Sequence, residues 1–231
     1  MFFKLYLYLN FIYHSKNEHG VHSPFVFNLV TKCLYDKNKF DSYTAIRAYR
    51  DDILKSKNVI LKTSVLPLKN AKALFRIVNY FQPKSILAIE KPHGLVTKVL
   101  NCNENNVKVN NVAFDFTDLN QDFINQNYKK NSLQFLNNIK NGAGHANLFD
   151  LIYFDENYIQ NDLLYYFELF LPTTKNNSVW IFTNFNQNID TINAWKIIKN
   201  HAKVTVTVST FRFTIVFFRT EQKKEHFVIR L

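Results

Sequence analysis

Apolar residues recur at helical spacing between Asn70 and Phe81, where Ala71, Leu74, Phe75, Val78 and Phe81 share one face and Gln82 and Pro83 end the pattern. A second such face is formed by Phe25, Val26, Leu29, Val30, Cys33 and Leu34. Ser23 can cap that helix, and Pro24 fills its first position, where a missing N–H costs nothing. A third helix is predicted around Tyr43 to Leu54. The period then changes. Short apolar runs at Ser85 to Ile89, Val107 to Phe114, Phe149 to Phe154 and Ser178 to Phe182 predict strands, and helical patterns at Leu119 to Asn127, Asp162 to Leu171 and Asn188 to His201 fall between or after them. Alternation of this kind predicts a parallel sheet covered on both faces. Lys203 to Ser209 and Phe213 to Arg219 are two further strands whose short link permits only a hairpin, so the final strand is expected to be antiparallel. The predicted organisation is a helical extension over 1–68 followed by an α/β domain over 69–231.

The opening MFFKLYLYLNFIYHS is apolar but shorter than the roughly 20 residues of a spanning helix, and Lys4 and Asn10 interrupt it. It lacks a small-residue cleavage site, so it reads as an amphipathic helix that packs on the domain or on a second subunit rather than as a signal peptide. No transmembrane segment is expected. Cys33 and Cys102 have no CxxC spacing, which argues against a disulfide framework or thiolate zinc site and for a reducing, cytoplasmic compartment. His19 and His22 sit in a turn before a helix, where hydrogen bonding is the expected role rather than metal ligation. The net charge of +11 favours anionic partners, yet the lysines are scattered along the chain. A nucleic-acid-binding module is therefore unsupported by any motif: no RNP-like aromatic motif, helix-turn-helix signature or dense arginine stripe is visible.

Five strings carry a resemblance: NEHGVHSPFVFNLVTK, FQPKSILAIEKPHGLVT, FDLIYFDENY, AWKIIKNH followed by KVTVTVSTF, and FFRTEQKKEHFVIRL. Together they resemble the class I S-adenosylmethionine-dependent methyltransferases, and more closely a bacterial O-methyltransferase-like group with a helical N-terminal extension. The resemblance implies a Rossmann-like methyltransferase fold with a mostly parallel seven-stranded sheet and an antiparallel final strand. It also implies a cofactor turn in which the first strand ends with an acid, an apolar residue and a glycine, with a second glycine four residues on, so that backbone can approach the cofactor. Here the acid position is Ala88, the first glycine position is Glu90, and the second is Gly94; Pro92 removes a backbone donor from the turn.

The acid that holds the ribose in the family falls at Ala113, with Asp115 two residues on as an imperfect substitute. Losing a hydrogen bond to a charged group costs roughly 1.5 to 3 kcal/mol, or about ten- to hundredfold in affinity. The cofactor-binding positions that the resemblance assigns are thus Glu90, Gly94, Asp115 and Asp155. The catalytic and metal positions are Asp155 and Asn184, the latter preceded by Thr183 where the metal-dependent relatives carry an acid. One carboxylate and one amide hold a hard cation only weakly; Glu156 is a further acid nearby. The resemblance therefore implies a methyltransferase homologue with eroded cofactor and metal motifs, weakly active or a pseudoenzyme acting as a binding module. S-Adenosylmethionine is expected to bind weakly or not at all, a divalent cation weakly at best, and an unknown small molecule or protein, or a second copy through the N-terminal helices, to be the partner. The alternatives are an active O-methyltransferase on a small molecule, because such enzymes act largely by positioning and desolvation and need few dedicated residues, or a basic nucleic-acid-binding module.

Overall fold

A computed structural model describes residues 2–55, 65–90, 94–102, 108–112, 137, 139, 141, 148–155, 163–183 and 189–231. Its strands are β1 (Ser85–Ile89), β2 (Lys108–Val112), β3 (Phe149–Asp155), β4 (Thr174–Thr183), β5 (Val206–Ser209), β6 (Phe213–Phe217) and β7 (Glu225–Val228). They form one sheet in the order β2-β1-β3-β4-β6-β5-β7. Strands β1 to β4 run parallel, β6 is antiparallel to both β4 and β5, and β7 lies parallel to β5 at the outer edge. The antiparallel strand expected from the hairpin is β6, but it is not the last in the chain. The segment from Phe218 to Lys224 returns to the far side of β5, and the short strand β7 then runs alongside it.

The helices are α1 (Phe2–His14), α2 (Pro24–Leu29), α3 (Ser42–Lys55), α4 (Leu68–Phe81), α5 (Leu95–Leu100), α6 (Leu163–Phe170) and α7 (Ile189–Asn200). Alternation along the strands divides the core. Ile86, Ala88, Leu151, Tyr153, Val179 and Ile181 pack with buried residues of α2, α3, α4 and α5, while Leu87, Ile89, Ile152, Phe154, Trp180 and Phe182 face α6 and α7. Both faces of the sheet are covered, which is why the strands read as continuous apolar runs.

Helix α2 begins as its sequence dictates: Ser23 Oγ accepts from the Val26 amide at 3.4 Å and Pro24 occupies the first turn. The single helix expected through Leu34 instead opens into a π turn over Val30–Leu34, closed by the Tyr35 amide on the Val30 carbonyl at 2.8 Å. Arg76 of α4 stabilises that turn, donating from Nε to the Cys33 carbonyl and from Nη2 to the Leu34 carbonyl, each at 3.0 Å. Burial is the main cause that pushes the Cys33 thiol up to about 12, so it is an inert core group.

At the N-terminal ends of the parallel strands, Asp150 of β3 accepts from the amides of Lys84 and Ser85 at 3.0 Å each and from Lys175 Nζ of β4 at 2.5 Å. Partial burial opposes ionisation of this carboxyl, but the Lys175 ammonium and the two amides outweigh it and hold its pKa below the ordinary value. Helix α1 packs its Tyr8 and Phe11 rings on Phe211, with centroids 4.9 and 5.5 Å apart, and leaves Leu5, Tyr6, Leu9 and Tyr13 exposed. No described helix is long and apolar enough to cross a membrane. After α1, Lys16 bridges to Ile229 beyond β7: its amide donates to the Val228 carbonyl at 2.8 Å and its carbonyl accepts from the Arg230 amide at 3.0 Å.

Candidate functional site

The C-terminal ends of parallel strands are where ligands bind in open α/β sheets, because the chain leaves each strand there into a different connection and opens a crevice. Register fixes what stands at that edge. Ile89 pairs with Phe154 and Asp155 with Thr183, so Glu90, Asp155 and Thr183 follow one another across β1, β3 and β4. All three are buried: Glu90 is 0% exposed, Asp155 6% and Thr183 4%.

The Glu90 carboxylate is turned inward onto the start of α5. It accepts from the amides of Val96 at 2.9 Å and Thr97 at 2.8 Å, and from the Thr97 hydroxyl. These are donors that a helix start leaves unsatisfied, so the side chain itself completes the turn. Burial raises the Glu90 pKa to about 7, the hydrogen bonds from Thr97 and Val96 oppose that rise, and the nearby Asp155 carboxylate adds to it. Gly94 precedes α5 with φ of 67°, a left-handed conformation that favours glycine, and a Cβ placed there would come within 3.5 Å of the Tyr49 hydroxyl of α3. Burial, then the charge of Glu90, pushes the Tyr49 phenol up. Tyr153 lies fully within the sheet, and its hydroxyl meets no good hydrogen-bond geometry among the described residues; burial and then the Asp155 carboxylate push its pKa far above the ordinary range, against an opposing contact from Thr183.

Of the residues singled out in the sequence, Glu90, Gly94 and Asp155 are thus brought to one edge, while Asp115, Asn184 and Glu156 lie outside the described residues. Among the described residues no group of three or more His, Cys, Asp or Glu could hold a metal ion. Sequence reasoning missed the inward turn of Glu90 and the approach of Tyr49 and Tyr153. Thr97, seven residues after Glu90 and within the first turn of α5, is the one signal from which the capping could have been read.

Compared by sequence, the chain matches no family model and no curated protein. Solved structures do match it. The O-methyltransferase from Bacillus cereus in complex with SAH aligns with a TM-score of 0.52 at 16% identity, over 80% of this chain and 94% of that one. The SAH-bound methyltransferase PaMTH1 of Podospora anserina gives 0.55 at 8% identity, over 86% and 97%. TomG, an O-methyltransferase from Streptomyces achromogenes in complex with SAM, gives 0.51 at 10%, over 79% and 91%. The fold is that of the class I O-methyltransferases. Within this methyltransferase fold, the edge that carries Glu90, Asp155 and Thr183 is the one at which α/β sheets take their ligands.

Proposed function

We propose that the chain is a methyltransferase-fold protein whose S-adenosylmethionine site is impaired, and that it acts mainly as a binding module. The observation that carries this reading is the Glu90 carboxylate, buried at the end of β1 and hydrogen-bonded to the first free amides of α5. A glycine at this position would leave both the space and the amides open to a ligand; the glutamate fills the first and uses the second. It also sets a second buried acid beside Asp155, so an incoming carboxylate would meet two acids that share one site. The residues present therefore do not fit the cofactor well. Asp155, the described member of the expected cation pair, does not make a metal site alone. The exposed apolar side of α1, with Leu5, Tyr6, Leu9 and Tyr13, supports self-association as part of this role.

Calorimetric titration with S-adenosylmethionine and S-adenosylhomocysteine tests the reading. The protein should bind neither below the millimolar range, and Glu90→Gly combined with Ala88→Glu should tighten binding about tenfold or more. Micromolar binding by the unaltered protein would overturn the impairment and support an active O-methyltransferase.

A further inference from the structure

A cavity of about 670 Å³ opens beside this edge, between α1, the start of α4 and the β5–β6 turn. Its size is that of a small-molecule site. Its position follows from the topology: the turn at Thr210–Phe213 leaves the C-terminal end of β5, and Phe213 pairs with Thr183 at the end of β4. Three features of the lining define the chemistry it can accept.

One wall is aromatic. Tyr8 and Phe11 of α1 meet Phe211 of the turn there, presenting ring faces and edges to the cavity. The charge is one-sided. Lys37, Lys69, Arg76, Arg212 and Arg230 all line the space, and Asp36 is the one acidic side chain among the lining residues. Several of these cations are engaged: Arg76 holds the π turn, Arg230 reaches the Ser15 carbonyl, and Lys69 the Leu231 carbonyl. The Lys37 ammonium and the Arg212 guanidinium have no hydrogen bond or ion pair among the described residues. The third feature is a polar side chain with hydrogen-bonding capacity to spare. Asn70, in the first turn of α4, is only 6% exposed, yet its carboxamide makes no hydrogen bond among the described residues. Its polar atoms are not sealed off in the core, so a ligand in the cavity can reach them. It lines both the cavity and the small void that leads on to Tyr153 and Thr183.

We propose that this cavity binds an anionic aromatic small molecule, stacked against Tyr8, Phe11 and Phe211, with its anion on Arg212 and Lys37 and a hydrogen bond to Asn70. Arginine suits this role because its planar fork matches a carboxylate and also lies flat on a ring. The inference goes beyond the impaired cofactor site, since neither Glu90 nor any residue of α5 lines this cavity.

Calorimetry with 2-naphthoate, and with the neutral 2-naphthamide of the same shape, tests the proposal on the full chain. The acid should bind in the micromolar range and the amide about tenfold more weakly. Arg212→Gln, an exposed turn substitution that leaves the core untouched, should remove most of that tenfold difference while hardly changing the affinity for the amide. Asn70→Leu should weaken both ligands about fivefold or more. Raising salt should weaken the acid alone. The proposal is overturned if 2-naphthoate does not bind at millimolar concentration, if acid and amide bind equally, or if Arg212→Gln leaves the ratio unchanged.

Discussion

The two ends of the parallel strands each hold a carboxylate that accepts two backbone amides, and the outcomes are opposite. At the N-terminal end, Asp150 adds a lysine ammonium to its amides, remains partly open to water and ionises more readily than an ordinary aspartate. At the C-terminal end, Glu90 has similar hydrogen bonds but is completely buried beside Asp155, and its pKa rises to about 7. Hydrogen bonds alone therefore do not set the charge state; burial and neighbouring charge decide it. The first end fastens strands together. The second keeps an acid poised to take up or release a proton, which is the less stable arrangement and the one found where the fold places ligands.

The largest expected effect is at the buried end. Because the folded pKa of Glu90 lies above its ordinary 4.5, the native chain holds the proton more tightly than the unfolded chain, and the associated stability is fully present below pH 4.5 and lost as pH rises to about 7. The shift corresponds to about 3 kcal/mol. Urea midpoints measured across that range should fall accordingly, and Glu90→Gln should flatten the fall; an unchanged slope in the variant would assign it to another group.

Asp150→Asn should break the comparison from the other side. It weakens two charge-assisted amide contacts and the Lys175 pair, for an expected loss of about 2 kcal/mol at neutral pH in chemical unfolding. The sign with pH is reversed here. The folded pKa is depressed, so the contribution is present above the ordinary 3.8 and disappears as pH falls through the folded value, where protein and variant should converge.

The smallest effect sharpens the reading of the Glu90 slope. Partial burial first, then Lys199 and Lys224, lowers the His226 pKa to about 4, and Nδ1 of its ring lies 3.0 Å from the Thr207 hydroxyl. Its contribution is present above pH 6.5 and lost as pH falls towards 4, opposite in sign to that of Glu90 over the shared window. Solvent reaches this half-buried ring and screens its contribution, so His226→Gln should make the decline assigned to Glu90 only slightly steeper.

Much of this fold is legible in the chain because buried strands and amphipathic helices write their periods directly. FDLIYFD is apolar with few interruptions since both its faces are covered, and Ser23–Pro24 announces α2 from local chemistry alone. Strand β7 was not predicted: EHFV is short, half-buried and preceded by lysines, so it has the pattern of a loop until β5 offers it an edge. The π turn is likewise non-local, because Arg76 lies far along the sequence from the carbonyls it holds. At the site, the sequence marks Glu90 as a departure from glycine but not the direction of its side chain, which depends on where α5 begins. Asn70 reads only as part of a helical pattern; that its amide lacks a partner is a property of the packing.

The bridge between Lys16 and Ile229 also governs how the molecule behaves in a crowd. Strand β7 is the outer edge of the sheet, and an edge with unpaired backbone groups is a template for joining another sheet. The segment after α1 occupies that template at the Val228 carbonyl and the Arg230 amide, with Lys223 and Lys224 just before the strand. A chain trimmed of its first helix and this segment would gain an adhesive margin, and its tendency to form filaments or precipitate should rise even where its core remains folded.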